Sequence, residues 1–412
     1  MKKRPLQNKH IIFLTLGALV VRLLIGALYY NPVDIIPFNL DWALQMQEGF
    51  FNCYSHISSL DYPPLFPALL FLLSHPLSFA YANSMQALLM LLLKIIPILF
   101  DVGSIVVIYA SLQKESKKFA LTASIVWALN ISVIFNASCW GQTDAMLLFF
   151  ILLTFLMFAK KRPISALIFF ALGCLTKLQM CYLAPVVLFE LLFYYSPNKW
   201  IKALLAGLAT GLLGWLPFMI GSKQLMLAPS IYLSGFGSYP YINLNAFNLY
   251  GLSPSLNFSD ASQPFLGTVS YQTLSSCITV LILLGLFFFY VWMRVSARKI
   301  PACIPATLYM NAIFLFTTQM HERYQLPVLM LLFLCWILCR ERIYLIFYFI
   351  IMTITFVNQA WVLFSYNYGE IFENWLPTVQ QCFSLINCVV FVIMLYLILQ
   401  KTILPKKQEY PS

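Results

Sequence analysis

The sequence predicts an all-α integral membrane protein with about twelve transmembrane helices and a long first extracytoplasmic loop that carries juxtamembrane helices. Of its 412 residues, 61% are hydrophobic and only 9% are charged, whereas soluble domains have roughly 45–50% apolar and about 25% charged residues. So few charged side chains cannot cover the surface of a soluble protein of this length. Long apolar stretches recur along the whole chain. We therefore expect one polytopic membrane domain over residues 1–412.

Twelve of these stretches are close to the roughly 20 residues that a helix needs to cross a bilayer core. They are 10–30, 89–112, 119–137, 142–159, 164–178, 180–195, 202–221, 272–293, 302–319, 324–339, 343–363 and 378–399. The first carries Arg22 and lacks a small-residue cleavage site after it, so we expect a retained anchor rather than a cleavable signal peptide. Residues 63–83 are apolar too, but counting them as a crossing would reverse the charge bias of all later loops. We place them as a helix on the outer face.

The basic residues predict the orientation of the chain. If the N-terminus is cytoplasmic, 20 of the 25 basic residues fall inside: Lys2, Lys3, Arg4, Lys9, Lys114, Lys117, Lys118, Lys160, Lys161, Arg162, Lys199, Lys202, Arg294, Arg298, Lys299, Arg340, Arg342, Lys401, Lys406 and Lys407. This positive-inside bias predicts a multi-pass cell-membrane protein with cytoplasmic tails and two large outer loops, 31–88 and 222–271. The net charge of +11 forms no continuous stripe, so nucleic acid is not an expected partner.

Most acidic residues fall on the opposite side. Nine of the 14 are outside in this topology: Asp34, Asp41, Glu48, Asp61, Asp144, Asp260, Glu322, Glu370 and Glu373. Acidic residues contribute little to orientation, so this asymmetry does not follow from the positive-inside rule. It suggests that the chemistry of the protein is located at the outer membrane face.

Five polar islands meet that face beside long apolar runs. They are Asp34, Asp61-Tyr62-Pro63-Pro64-Leu65, Trp140-Gly141-Gln142-Thr143-Asp144, Thr176-Lys177-Leu178-Gln179 and His321-Glu322-Arg323-Tyr324. A polar group at the hydrocarbon boundary is costly unless it is paired or solvated, so several converging islands predict a cavity. The alternative is that each island only caps or anchors its own span.

The ordered set of islands, together with Asn245-Ala246-Phe247-Asn248 and Met320-His321-Glu322-Arg323-Tyr324, resembles the bacterial relatives of the second mannosyltransferase of GPI-anchor synthesis. Those are polytopic GT-C glycosyltransferases, and the resemblance covers roughly residues 15–345. The endoplasmic-reticulum glucosyltransferases that extend dolichol-linked oligosaccharides share the Asp-Tyr-Pro-Pro-Leu island. Two departures stand out: Asp34 precedes Trp42 by eight residues rather than seven, and Leu178 replaces the proline of a Lys-Pro-Gln.

The resemblance implies a GT-C-like fold and transfer of a hexose, mannose-like, from a polyprenyl-phosphate-linked donor. The acceptor is a hydroxyl of a glycan, lipid or protein at the outer face, and the configuration at the anomeric carbon is inverted. A phosphate leaves as a stable anion, so one carboxylate acting as general base is sufficient. No cofactor is required, although the outer carboxylates could hold a divalent cation.

Candidate roles follow for the island residues. Asp34 is the first choice for the base and Asp41 the alternative, while Asp61 shapes the first loop or contacts the acceptor. Lys177 and Arg323 are candidate ligands of the donor phosphate because cations and bidentate guanidinium groups suit phosphate oxygens. Alternatively, Arg323 only pairs with Glu322 or Asp144. His321 is a further phosphate donor, and the candidate sugar or acceptor contacts are Trp140, Gln142, Asp144, Gln179, Asn245, Asn248 and Glu322.

Three charged residues lie inside the first two predicted spans. Arg22, Lys94 and Asp101 lie at comparable depth, which favours an ion pair that locks helices together over a proton pathway. The ten cysteines have no metal-binding spacing and the four histidines are scattered, so a metal cluster is not indicated. Cys53 and Cys139 are both on the outer side, and a disulfide between them is left open.

Two other functions compete with sugar transfer. A transporter or flippase of lipid-linked sugars is compatible with twelve spans, but the two halves of the chain show no internal repeat. A polysaccharide polymerase also has large outer loops, yet such an enzyme more typically carries clusters of outer arginines, and here Arg323 is alone. The sequence leaves the sugar, the acceptor and the oligomeric state unspecified.

Overall fold

The computed structural model describes residues 9–30, 33–237, 239–372 and 376–403. Some of the predictions concern parts of the chain outside the described residues. They are those for the terminal tails, with Lys2, Lys3, Arg4, Lys406 and Lys407, for Glu373 and for the side chain of Glu370. The described chain is almost entirely helical, with one short two-stranded sheet. The prediction of an all-α architecture is therefore confirmed.

The first half of the chain contains long helices separated by short ones. They are α1 Lys9–Leu28, α2 Asp41–Gln45, α3 Cys53–His56, α4 Leu65–Phe71, α5 Ser74–Ala82, α6 Gln86–Leu112, α7 Lys117–Ala128, α8 Ile131–Ile134, α9 Asp144–Ala159 and α10 Pro163–Cys174. Two wider π-helical turns, Ile35–Leu40 and Phe135–Trp140, precede α2 and follow α8. A 3₁₀ turn, Met46–Glu48, follows α2.

The second half follows the same pattern. Its helices are α11 Ala184–Tyr194, α12 Pro197–Gly221, α13 Leu227–Gly237, α14 Tyr271–Val295, α15 Cys303–Phe316, α16 Leu326–Cys339, α17 Arg342–Phe372 and α18 Leu376–Ile403. The 3₁₀ segments are Leu178–Leu183, Leu249–Leu252 and Pro254–Leu256. Strands β1 Pro264–Leu266 and β2 Val269–Ser270 pair antiparallel, with Pro264 opposite Ser270.

The number of helices that could cross a membrane is smaller than the number of predicted spans. Within the described chain, six helices are long and apolar enough, or up to eight if each of two bent pairs counts as one span. The six are α1, α6, α12, α14, α17 and α18. Several candidate spans make this a multi-pass membrane protein by length and composition, while twelve crossings remain a prediction.

The remaining predicted spans are short or bent. Helices α9, α10, α15 and α16, and the segment Leu178–Tyr194, have 10–17 residues, and α7 is bent by 48° against the segment Ile131–Trp140. A helix of 14 residues such as α15 rises about 21 Å, less than a hydrocarbon core of about 30 Å. Helices α15 and α16 are buried almost throughout. Their ends can therefore lie at membrane depth, because irregular backbone is tolerated there when protein or a cavity surrounds it.

The apolar segment 63–83, expected as one helix on the outer face, forms two. Helices α4 and α5 meet at an angle of 54°, and together they are apolar enough for a broken span or a re-entrant loop. Their buried side chains, including Phe66, Leu70 and Leu77, pack into a cluster with Trp42 and Met46 of the first loop. This loop is therefore a folded layer that packs against α6.

A buried ion pair joins the first helices, as the sequence predicts. Nε of Arg22 lies 2.6 Å from Oδ2 of Asp101, and the indole of Trp127 donates to Oδ1 of Asp101 at 3.1 Å. Arg22 and Asp101 are both about 1% exposed, so each charge depends on the other. Lys94 takes no part in the pair, because its ammonium donates instead to the carbonyl of Tyr29 at 2.6 Å near the end of α1.

Cys53 and Cys139 are both free thiols. Cys53 is completely buried, and this burial raises the pKa of its thiol to about 12. The structure therefore does not contain the disulfide that the sequence left open.

Candidate functional site

The polar islands surround one cleft, which consists of two adjoining chambers. The first has an empty volume of about 540 Å³, and its lining includes Asp34, Asp61, Gln142 and Arg323. The second has about 490 Å³, and its lining includes Asp61, Lys177, Gln179 and Arg323. Asp61, Tyr62, Tyr239 and Arg323 line both chambers, so the two are continuous.

Asp34 is held at the first chamber by two donors from another island. Oδ2 of Asp34 accepts hydrogen bonds from Nε1 of Trp140 at 2.8 Å and from Nε2 of Gln142 at 2.7 Å. In the described part of the chain, no residue donates to Oδ1 of Asp34. The carboxylate is therefore fixed through one oxygen, while the other is free to accept a proton.

A glycine turn makes these two hydrogen bonds compatible. Gly141 ends the turn Phe135–Trp140 with φ +80°, a left-handed conformation that favours glycine. A Cβ at this position would lie 2.9 Å from Cγ2 of Ile35, the residue next to Asp34. Gly141 thus reverses the chain tightly enough for Trp140 and Gln142 to meet the same oxygen.

The Asp61 island is fastened to the end of α10. The backbone N–H of Leu65 donates to the carbonyl of Leu175 at 2.8 Å, which brings Asp61 to the same chamber as Lys177. The side chain of Asp61 is exposed to the cleft. The surrounding protein atoms nevertheless raise the pKa of its carboxyl, and the positive charge of Lys177 opposes this rise.

Lys177 is a buried cation with a buried partner. Its Nζ lies 2.7 Å from Oδ1 of Asp144, and the two residues are 4% and 1% exposed. Oδ2 of Asp144 accepts a further hydrogen bond from Nδ2 of Asn136 at 3.2 Å. Asp144 therefore orients Lys177 and is not itself part of the chamber lining, while Lys177 lines the second chamber.

Arg323 is held by two carboxylates and still lines both chambers. Its Nη1 lies 2.5 Å from Oε1 of Glu322, and its Nε lies 3.8 Å from Oδ2 of Asp144. Burial opposes the charge of Arg323, but the nearby carboxylates of Glu322, Asp144 and Asp34 raise its pKa well above the ordinary value. Burial likewise opposes charge on Glu322, but Arg323 outweighs it and lowers the pKa of Glu322 to about 2. The predicted pairing of Arg323 with Glu322 or Asp144 thus coexists with its place in the cleft.

A short backbone ladder positions the island that contains Arg323. The N–H of Leu244 donates to the carbonyl of Met320 at 3.1 Å, and the N–H of Gln319 donates to the carbonyl of Tyr241 at 3.1 Å. The second outer loop is thereby laid along residues 319–321. Asn245 adopts φ +60° within this ladder, and its carbonyl accepts from Nδ2 of Asn358.

His321 lies behind the cleft rather than in its lining. Its ring packs edge-on against Tyr239 at 5.0 Å and near Tyr324 at 4.9 Å. Burial lowers the pKa of His321, Glu322 raises it and the Arg323 charge lowers it further. His321 therefore does not add a third cation to Lys177 and Arg323 in the cleft.

Gln179 has a side-chain amide oxygen without a partner in the described chain. It is 8% exposed and lines the second chamber. Its Oε1 accepts no hydrogen bond from any residue that the structure describes. The described part of the protein therefore leaves one buried acceptor beside this chamber unpaired.

Seven of the predicted site residues do not line either chamber: Asp41, Trp140, Asp144, Asn245, Asn248, His321 and Glu322. Asp41 accepts a hydrogen bond from Nε2 of Gln45 within its own helix at 2.6 Å. Asn248 is fully buried and caps the turn Leu249–Leu252 by accepting from the N–H groups of Tyr250 and Gly251. Asn245 serves the ladder described above. Trp140, expected as a sugar or acceptor contact, instead donates a hydrogen bond from its indole N–H to Asp34.

Sequence reasoning missed several residues that line the cleft. Tyr62 and Tyr324 stood inside the polar islands without a role, and Tyr239 lies in the Tyr239-Pro240-Tyr241 segment of the second outer loop. Asn39 and Ser59 also line the first chamber. An aromatic and proline-rich segment in a long outer loop could have indicated Tyr239, whereas Asn39 and Ser59 carry no sequence signal.

The arrangement combines two carboxylates that line the cleft, Asp34 and Asp61, with two cations that are fixed by buried carboxylates. Such a cleft can accept a proton at Asp34 and bind an anion at Lys177 and Arg323. Among the described residues, no three His, Cys, Asp or Glu side chains form a group that could hold a metal ion. No protein-family model matches this chain, and no curated protein matches it in sequence.

Proposed function

We propose that this protein is a membrane glycosyltransferase of the GT-C type. It transfers a hexose from a polyprenyl-phosphate-linked donor to an acceptor hydroxyl at the outer membrane face. The observation that carries the proposal is that Asp34, Lys177 and Arg323, from three separate islands, line one continuous cleft. The resemblance of the ordered islands to bacterial relatives of the GPI mannosyltransferase supports the same assignment.

In the proposed reaction, the acceptor oxygen attacks the anomeric carbon from the face opposite to the phosphate. The bond between that carbon and the phosphate oxygen breaks, the hydroxyl proton moves to Oδ1 of Asp34, and the configuration inverts. Polyprenyl phosphate leaves with the bonding electrons. Lys177 and Arg323 neutralise the charge that grows on the phosphate, and the pairing of both with Asp144 keeps them in place before the substrate arrives.

Lys177 suits this role because only one of its three N–H donors is engaged by the described residues. Arg323 likewise has an Nε without a hydrogen-bond partner in that part of the chain. A phosphate placed between them would satisfy donors that are otherwise buried and incomplete. In the same proposal, Gln179 binds a hydroxyl of the sugar or acceptor in the second chamber, and Asp61 contacts the acceptor.

Purified protein in proteoliposomes can test the proposal with a panel of polyprenyl-phosphate hexoses and a cell-envelope glycan extract as acceptor. We expect release of polyprenyl phosphate that depends on both the donor and the acceptor, as measured by mass spectrometry. No release with any donor, together with movement of the lipid-linked sugar between leaflets, would instead support a flippase.

The proposed orientation places the cleft outside, both tails in the cytoplasm, and twelve segments across the bilayer. Reporter fusions test it independently of the chemistry. A reporter after residues 114–118 should be active only in the cytoplasm, and one within 222–271 only outside. The opposite pattern would remove the outer-face site and with it the lipid-phosphate donor.

A further inference from the structure

An apolar groove lies between α14, α15 and α18, on the surface of the helical bundle. It has an empty volume of about 1090 Å³, and its lining includes Leu286, Phe289, Leu308 and Leu395. On α14 the lining residues run from Ile282 to Trp292, ten residue positions further along the helix, which corresponds to a rise of about 15 Å. This is half of a hydrocarbon core of about 30 Å, so the groove has the depth of one leaflet.

A glycine widens this groove. Gly285 lies on the groove face of α14, between Ile282 and Leu286. A Cβ at Gly285 would meet no atom within 4 Å. Packing within the protein therefore does not require glycine there, and the space above it is available to an apolar chain.

A basic pocket adjoins one end of the groove. Its empty volume is about 960 Å³, and its lining includes Arg298, Lys299, Lys401 and Glu341. Glu341 is paired with Lys401. Arg298 donates to the carbonyl of Thr402, and Lys299 is exposed and lies 5.0 Å from the ring of Tyr194. The pocket thus has three basic groups and one acidic group, and the charge of Lys299 has no carboxylate partner within ion-pair distance in the described chain.

The pocket and the groove share two helices, α15 and α18. Ile304 lines the pocket and Pro305 the groove on α15, and Thr402 and Leu399 do the same on α18. The guanidinium of Arg298 lies 5.5 Å from the ring of Trp292, the last groove residue of α14. An apolar channel of leaflet depth with cations at its mouth matches the chain and the phosphate of one anionic phospholipid.

This site is separate from the candidate catalytic cleft. Helix α15 begins beside the basic pocket and ends before the island of His321, Glu322 and Arg323. Its 14 residues rise about 21 Å. A lipid at the basic pocket would therefore lie at the other end of α15 from the cleft and would be distinct from a ligand bound there.

We propose that the groove and the basic pocket bind one anionic phospholipid from the leaflet opposite to the candidate site. The phosphate lies between Arg298 and Lys299, and one acyl chain lies along α14 over Gly285. The binding does not depend on the proposed sugar transfer, because no residue of the cleft takes part in it.

The test is native mass spectrometry of the purified full-length protein titrated with phosphatidylglycerol or phosphatidylcholine in detergent. We expect wild type to retain phosphatidylglycerol preferentially. The double variant Arg298→Gln/Lys299→Gln should weaken its binding about 30-fold. Each basic group near a lipid phosphate strengthens binding roughly fivefold, and the variant removes two of them. The single variant Lys299→Gln, which changes an exposed side chain, should retain the fold and weaken binding by a smaller factor. Gly285→Leu should weaken binding by filling the groove.

The matched control is Lys160→Gln/Lys161→Gln, which removes two exposed charges outside this pocket and should bind phosphatidylglycerol like wild type. Equal retention of both lipids by wild type would overturn the proposal. So would unchanged phosphatidylglycerol binding in both Lys299→Gln and Gly285→Leu. Full competition by inorganic phosphate, combined with no effect of Gly285→Leu, would show that the pocket binds a free anion and would also overturn it.

Discussion

Nε2 of Gln142 lies 2.7 Å from Oδ2 of Asp34, so the island after the turn Phe135–Trp140 fixes the carboxylate that follows the first helix. The same oxygen accepts from Trp140, which leaves Oδ1 to the cleft. This relationship assigns Gln142 a positioning role, whereas the sequence suggested only a sugar contact. It also makes the role of Asp34 testable through residues that do not take the proton.

Gln142→Ala should lower kcat of sugar transfer by about 10- to 100-fold, with little change in KM for the donor. The reason is that Asp34 loses a donor that orients it, while the proposed phosphate ligands Lys177 and Arg323 are unchanged. Gln45→Ala is the matched control, because Gln45 makes the corresponding hydrogen bond to Asp41 outside the cleft. Steady-state kinetics of both variants test this prediction. An equal loss of kcat in the two variants would contradict a specific role of Gln142 in positioning Asp34.

Gly141→Ala should destabilise the protein by about 1–2 kcal/mol, because a residue with a Cβ is strained at this left-handed position. The new methyl group would also press on Ile35 at 2.9 Å, displacing the turn beside Asp34. Thermal unfolding in detergent measures the effect. Gly17→Ala is the control, since a Cβ there meets nothing within 4 Å, and it should leave stability unchanged or slightly raised. Similar losses of stability in the two variants would contradict the inference that a side chain is strained at position 141.

Asp101→Leu should destabilise the protein by about 3–5 kcal/mol, because Arg22 would remain as a buried charge without its partner. The double variant Arg22→Met/Asp101→Leu should recover much of that loss, since neither charge is then left alone. Thermal unfolding of both variants tests this. The exposed pair between Arg340 and Glu115 provides the comparison: Glu115→Gln should cost at most about 1 kcal/mol. A double variant no more stable than Asp101→Leu would contradict this account of the pair.

The stability of the folded state should fall as pH drops below about 6.5, in part because of His321. Its pKa is lowered by burial in the folded protein, so the unfolded chain binds a proton at higher pH than the folded chain does. Protonation therefore favours unfolding in this range. His321→Gln should flatten the dependence of unfolding temperature on pH between about 7 and 5, whereas His56→Gln, at an exposed position, should leave it as in wild type. A wild-type slope in His321→Gln would contradict the burial argument.

The cleft shows most clearly which parts of the site can be predicted from the sequence. Asp34, Asp61, Lys177 and Arg323 could be grouped in advance because scarce charges at the ends of apolar runs have few places to go in a membrane protein. The contacts among them could not be predicted. The indole of Trp140 and the cap made by Asn248 depend on residues that are distant in the chain, and hydropathy has no information about such packing.

The span count shows a different limit. Helices α15 and α16 are as apolar as a membrane crossing, so hydropathy assigns each a full span. In the structure each has only 14 residues and is almost entirely buried within the protein. Apolarity reflects burial, and burial against protein and burial against lipid produce the same signal in a sequence.

The most direct test of the central claim compares Asp34→Asn with Asp41→Asn. Both substitutions remove one carboxylate from the same loop, but only Asp34 lines the cleft. Release of polyprenyl phosphate should fall by about 10²- to 10⁴-fold in Asp34→Asn and remain near wild type in Asp41→Asn. Both variants should unfold at the same temperature as wild type, which shows that they are folded. Wild-type activity in Asp34→Asn, or loss confined to Asp41→Asn, would contradict the assignment of Asp34 as the general base.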